Sequence, residues 1–367
     1  MTSELIISLD AMGGDHAPDI VIEGAGIARE RVPNLQFIIY RDETRIVPLL
    51  TRFPILKNCC EVRHTDKIIS AYEKPSRALR RGRDSSMGQA IQAVKDGQAH
   101  AAVLAGNTGA QMALAKFILR TMPGIDRPAL ASLIPTSRGE SIMLDLGANV
   151  ECDENNLVQF AIMGAAFART VLGVTRPTVA ILNVGVEELK GSDAIKEADR
   201  MLREVNIAMD YKGFTEGDGI GAGEVDVVVT DGFTGNIAIK TVEGTAKMIA
   251  NLLKLSLKES LMSKIGALFA GSSLSSLKNH LDPNNHNGAV FMGLNGLVIK
   301  SHGGASAEGF ASAIGVAVDM AENDLAGKIS LDLENCNSSV EGSVDGLEVK
   351  HAKGEGKVVE MTIKEQK

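Results

Sequence analysis

Two short stretches share one pattern of chemistry-bearing residues. AGNTGA carries Gly106, Asn107, Thr108 and Gly109, and TDGFTGN carries Asp231, Gly232, Thr234, Gly235 and Asn236. A Gly-x-Thr-Gly turn between an apolar run and a helical pattern frees backbone N–H groups, adds a hydroxyl and aims the positive end of a helix at whatever lies above it. Such a corner suits an anion, phosphate most naturally. Charged residues flank further corners: GVEELKGSD places Glu187, Glu188 and Lys190 in one loop, and VIKSHGGA places Lys300 and His302 before Gly303 and Gly304. A Lys or His there could neutralise phosphate or donate to a developing oxyanion, while an Asp or Glu could orient those donors or handle a proton. Each has a plainer alternative: Asn236 as a helix cap, Glu187 and Glu188 as solvated charges, His302 bonded to a backbone group. On placement, Lys190, Asp231, Asn236 and His302 are the catalytic candidates.

The binding candidates extend to Asp10, Gly13 and Gly14 in LDAMGGDHAP, Asn149 in LDLGAN, and Arg83, Ser85 and Ser86 in RGRDSSMGQAI, together with Glu188, Lys300 and the glycines and threonines of the paired corners. Upstream, Lys74, Arg77, Arg80, Arg81 and Arg83 crowd into ten residues. That run reads either as a solvated face or as guanidinium forks for phosphate or an acidic carrier. No dinucleotide fingerprint, Walker loop or nucleophile elbow is present. HLDPNNHNG (280–288) fits no complete calcium or zinc template, so neither metal nor cofactor is expected.

These residues need a scaffold that ends apolar strands in glycine turns. The runs LIISL, AAVLA, SIMLDL, TVAILNV and VDVVVT each lead to such a turn and then to a helical pattern. Continuous β-branched runs alternating with helices predict a mostly parallel sheet covered on both faces, with ligands beyond the carboxyl ends of the strands. On that reading every glycine corner lies along one edge. Ser192 suits the cap of the helix after TVAILNV. The nearly all-apolar 157–173 helix belongs in the core or at a subunit interface.

With 367 residues the chain can bury a large core, and a net charge of −8 argues against bulk attraction to nucleic acid. Four cysteines without C-x-x-C spacing, and a start lacking a basic or long apolar stretch, lead to the expectation of a cytoplasmic protein with free thiols. No apolar run approaches the roughly 20 residues needed to cross a bilayer. Residues 246–281 read as a helical hairpin broken near Gly266 and Gly271–Ser273, its apolar tip packing on protein or inserting at a membrane surface. The expected division is a body over 1–326 and a polar tail over 327–367 with at most short strands.

Taken in order, LDAMGGDHAP, RGRDSSMGQAI, AGNTGA, PGIDRPAL, LDLGAN, NVGVEELKGSD, TDGFTGN and KSHGGA closely resemble the PlsX phosphate acyltransferases of bacterial phospholipid synthesis. The match runs from about Leu5 to Leu325, with Arg41 where family members commonly carry Gly. The resemblance implies an isopropylmalate-dehydrogenase-like α/β/α fold, a homodimer, and transfer of an acyl group from acyl carrier protein to inorganic phosphate. It also implies peripheral membrane contact through 246–281 and delivery of acyl phosphate to a membrane glycerol-3-phosphate acyltransferase. Alternatives are a short-chain phosphate acyltransferase using acyl-coenzyme A, a dehydrogenase of the related fold, and a non-catalytic membrane scaffold.

Overall fold

The computed structural model describes residues 4–70, 72–275, 282, 284, 285 and 287–341. The last residues of the expected hairpin (276–281), part of 280–288, and the tail beyond 341 lie outside the described residues. The first part of the chain forms β1 (Leu5–Asp10), α1 (Asp19–Arg31), β2 (Leu35–Arg41), α2 (Glu43–Leu50), β3 (Cys60–His64), α3 (Pro75–Arg81) and α4 (Ser86–Lys95). Next come β4 (Ala101–Ala105), α5 (Thr108–Leu119), β5 (Ala129–Thr136), β6 (Gly139–Leu144), α6 (Glu154–Val171) and β7 (Thr178–Leu182). Then follow α7 (Asp193–Glu204), β8 (Asp210–Thr215), α8 (Gly217–Ala222), β9 (Val227–Val229), α9 (Gly232–Lys258) and α10 (Leu261–Phe269). The described chain closes with β10 (Ala289–Met292), β11 (Leu297–Ser301), α11 (Ala307–Glu322) and α12 (Leu325–Glu341).

Among the described residues eleven strands join one sheet in the order β3-β2-β1-β4-β11-β10-β5-β6-β9-β7-β8. Side chains alternate between its faces, as a pleated strand requires. Ala101, Val103 and Ala105 of β4 enter one core, and Ala102 and Leu104 enter the other. Helices over both cores complete the expected three-layer α/β/α architecture. The apolar α6 explains itself here: Phe160 to Ala168 are all buried. Its start carries a capping box between Asp153 and Asn156.

The single-edge expectation does not hold. Pairing is antiparallel at β11–β10, β10–β5 and β5–β6 and parallel elsewhere. The β5–β6 hairpin turns through Ser137 and Arg138, with Thr136 opposite Gly139. Because of these reversals, β6, β9, β7 and β8 run against β1, β2, β3, β4 and β11. The corners after β1, β4 and β11 therefore lie at one end of the sheet, and those after β6, β7 and β9 at the other. Apolar runs reveal strands but not their direction.

Two further expectations change. The segment read as a strand-poor tail begins as α12, with Leu325, Ile329 and Leu333 buried at four-residue spacing. Arg169 on α6 forms an ion pair with Asp332, fixing α12 to the body. The chain breaks at Glu259–Ser260, where the Ser260 hydroxyl caps α10 by accepting from the Ser263 N–H at 3.0 Å, and again at Ala270, directly before the expected Gly271. Gly266 lies inside α10.

Helix α9 is 27 residues, about 40 Å long, yet only Gly232 and Gly235 in it are buried. Both press on the loop after β6: the Gly232 N–H donates to the Asn149 carbonyl at 2.7 Å. That loop is organised by the Asp145 carboxylate. It accepts from the N–H groups of Leu130, Gly147, Ala148 and Asn149 and from the Asn149 amide, at 2.7–3.2 Å. A Cβ on Gly235 would stand 1.9 Å from the Asp145 carbonyl oxygen, whereas one on Gly244 of the same helix would meet nothing within 4 Å. Gly235→Ala is therefore expected to lower unfolding free energy by about 3 kcal/mol, measured by chemical denaturation. Gly244→Ala is expected to raise it by about 0.5–1 kcal/mol.

Candidate functional site

The corners after β1, β4 and β11 meet glycine to glycine. A Cβ on Gly13 would fall 2.1 Å from the Ala105 carbonyl oxygen, and Gly106 holds φ +102° beside the Gly14 amide. Only glycine allows both the approach and the dihedral. The Asp15 N–H donates to the Gly303 carbonyl at 2.8 Å, tying the first corner to the third. Beneath them Asp10 is buried. Burial pushes its carboxyl up, while the Met12 and Gly13 amides and the nearby Ser86 and Arg41 pull it back. Arg41, the departure from the family pattern, is itself buried and donates to the Ala11 carbonyl at 2.9 Å.

Asn107 caps α5, accepting from the Ala110 N–H at 3.0 Å. Its amide also donates to the Glu73 carbonyl at 2.8 Å, pinning the approach to α3 over the corner. Pro75, the first residue of α3, packs against Gly109. The arginine-rich α3 thus stands beside the β4 corner.

These corners form one wall of a cavity of about 660 Å³ between the sheet and α9. Gly106, Thr108, His302, Gly303 and Gly304 line its corner side. From α9 come Asn236, Lys240, Glu243 and Lys247, and from β11 comes Lys300. Lys240 pairs with Glu243 at 2.9 Å. Among the described residues no ion pair engages Lys247 or Lys300. Three ammonium groups against one carboxylate leave the cavity positive. Burial, then Lys240, pushes the Lys300 ammonium below its ordinary value. Burial, then Lys300 and Lys240, lowers His302 likewise. His302 Nδ1 accepts from the Gly304 N–H at 3.1 Å, so the neutral ring carries its proton on Nε2. The chemistry of this wall is that of an anion cradle.

The structure brings together Gly106, Thr108, Asn236, Lys300 and His302 at the cavity, backed by Asp10, Gly13, Gly14, Asn107 and Gly109. The others sit apart. Lys190 and Glu188 are exposed on the loop after β7, and Arg83 lies over the Phe117 ring at 5.5 Å. Ser85 caps α4, and Ser86 is buried at its first turn. Asp231 caps α9 with both carboxylate oxygens turned to Thr234. Asn236 is no cap; it lies in the second turn against Gly147. Asn149, Gly232 and Gly235 belong to the Asp145 anchor. The second Gly-x-Thr-Gly corner is therefore occupied by the protein's own carboxylate and packing. Lys240 and Glu243 escaped the sequence reading. Their signal was the spacing Asn236, Lys240, Glu243, Lys247, a polar stripe along one helix face.

Fold and cavity define a three-layer α/β protein with a cation-lined cleft. A family model described as "Fatty acid synthesis protein" matches residues 5–328, and the chain belongs to that family, the PlsX family its motifs resemble. Relatives named phosphate acyltransferase include one from Rhodospirillum centenum, 54% identical over 94% of this chain and 97% of its own. Another, from Parvibaculum lavamentivorans, is 56% identical over 91% and 93%. Among solved structures, a phosphotransacetylase from Streptococcus pyogenes aligns with TM-score 0.59 at 16% identity, covering 87% of this chain and 95% of its own. The EutD phosphotransacetylase from Staphylococcus aureus aligns at 0.55 and 17%, covering 86% and 94%. These structures share the fold.

In phosphate-free buffer the His302 ring is expected to titrate below its ordinary 6.5, followed by NMR. Adding inorganic phosphate is expected to raise the midpoint, because a neighbouring anion favours the imidazolium. An unmoved midpoint would contradict an anion site beside this ring.

Proposed function

We propose that this phosphate acyltransferase moves a long-chain acyl group from acyl carrier protein to inorganic phosphate, giving acyl phosphate for phospholipid synthesis. The single observation that supports this most is the cation-lined cavity whose wall is made of glycine corners. Lys300, Lys240 and the amino end of α5 hold the phosphate; an enzyme that binds its nucleophile ready-made needs only to position it. A phosphate oxygen attacks the thioester carbonyl carbon, and the carbonyl electrons move onto oxygen. Corner N–H groups and Lys300 stabilise that oxyanion. It collapses with cleavage of the C–S bond, and the leaving thiolate takes the P–OH proton that the phosphate gives up, directly or through water, while the neutral His302 Nε2–H donates a hydrogen bond to the departing sulfur or to the phosphate.

The exposed arginines of α3 stand next to the β4 corner, and charge complementarity would steer an acidic carrier protein to the cavity mouth. The α9–α10 arm exposes Met262, Leu268 and Phe269, a surface suited to peripheral membrane contact and hand-over to a membrane glycerol-3-phosphate acyltransferase. Among the described residues no helix is long and apolar enough to cross a membrane. A homodimer is part of this proposal. Lys190 and Asp231, exposed loop and helix cap here, stay in it as residues to be tested at the far set of corners.

Trapping with hydroxylamine tests the reaction. Acyl hydroxamate is expected from long-chain acyl carrier protein plus phosphate, with much less from acetyl-coenzyme A. Lys300→Met is expected to lower turnover by about 10²-fold, the scale of one lost oxyanion donor. Preference for the short coenzyme A thioester would overturn the proposed donor.

A further inference from the structure

Helix α9 carries two parallel stripes, and the reaction accounts for only one. Asn236, Lys240, Glu243 and Lys247 form the polar stripe. One residue before most of these lie Ile239, Val242 and Ala246, at spacings of three and four, and they also line the cavity. From β5 the lining takes Leu130, Ser132, Leu133 and Pro135, with Leu146 just beyond β6, a wall that is apolar apart from the Ser132 hydroxyl. The cavity thus has apolar lining next to its cationic lining.

An apolar helix stripe opposite an apolar strand ordinarily closes on it, since interiors pack at crystal density and a gap forfeits dispersion contacts. Here only Gly232 and Gly235 of α9 are fully buried, Ala238 and Ile239 pack against the core beyond them, and from Val242 on the helix borders the cavity. The central strands keep an open trough where a covering helix would pack. Between Leu130 and Pro135 the strand rises about 17 Å. From Ile239 to Ala246 the helix rises about 10 Å. The cavity thus offers apolar walls from β5 and α9 with cations beside them.

We infer that this trough holds the acyl chain of the thioester, lying along α9 between Val242 and β5, and that its width at Val242 sets which chains are accepted. The inference rests on the proposed reaction and adds the place and the selectivity of the acyl group. An unbranched hydrocarbon completes the missing layer, and its carbonyl end reaches the cationic flank where phosphate is held. Each methylene buried there is worth roughly fourfold in affinity.

The test compares Val242→Phe, which fills the middle of the trough, with Thr245→Phe, an equal change on the exposed outer face of the same helix. For wild type and both variants, kcat/KM is measured with carrier-protein thioesters of six to sixteen carbons (about, as a series). Val242→Phe is expected to lower the ratio of long to short donors by at least about tenfold, and Thr245→Phe to leave the profile as in wild type. Calorimetric titration with dodecanoate and hexadecanoate supplies a readout that needs no turnover. Hexadecanoate binding is expected to weaken by about tenfold or more in Val242→Phe only. An unchanged chain-length profile with unchanged hexadecanoate binding in Val242→Phe would overturn the inference. Should no donor yield acyl phosphate, the proposed reaction fails, and the fatty-acid titration alone still decides whether the trough is an acyl site.

Discussion

The cleft depends on one buried carboxylate. Asp145 gathers four backbone N–H groups and one side-chain amide, and the loop it folds is the platform on which Gly232 and Gly235 set α9. A carboxylate that satisfies five donors inside the protein makes a stiff corner, since each donor left behind would lose a hydrogen bond in a place water cannot reach. Because α9 is fixed there and by Ala238 and Ile239 just beyond, the rest of the helix can project across the sheet without collapsing on it. The cavity follows from that geometry.

Charge then gives the cavity its chemistry. Lys300 is drawn into the protein far enough for burial to destabilise its ammonium form, and no carboxylate pairs with it among the described residues. Evolution ordinarily pairs buried cations, because an uncompensated charge in low dielectric is costly. A site that keeps Lys300, Lys240 and Lys247 around one Glu243 is poised for an anion from outside. The same field holds His302 neutral, which preserves its bond from the Gly304 amide and leaves a proton on the outward nitrogen. Phosphate arriving there would relieve repulsion among the lysines and reverse the bias on the ring.

Much of this was legible in the residues. AAVLA is β4 to the residue, Ser192 does cap α7, and the glycine turns of β1, β4 and β11 converge as their composition suggested. What was hidden is tertiary. Strand direction depends on the three antiparallel pairings between β11 and β6, the last closed by the short Ser137–Arg138 turn, so two corners with the same letters came to opposite ends of one sheet. Gly232 and Gly235 look like phosphate-binding glycines, but they are small for a different reason: the Asp145 loop occupies the space a side chain would take. Lys240 and Glu243 were concealed because charge on a long helix reads as solvated surface until the helix is known to overhang a cavity. In α12 the buried stripe of Leu325, Ile329 and Leu333 was masked by the polar residues between them.

The most direct measurement is the structure of the protein with inorganic phosphate or vanadate bound. The account predicts the oxyanion against Gly106, Thr108, Gly303 and Gly304, within reach of Lys300. An oxyanion seated instead at the far corners, beside Asp231 and Lys190, with the Lys300 cavity left empty, would contradict it.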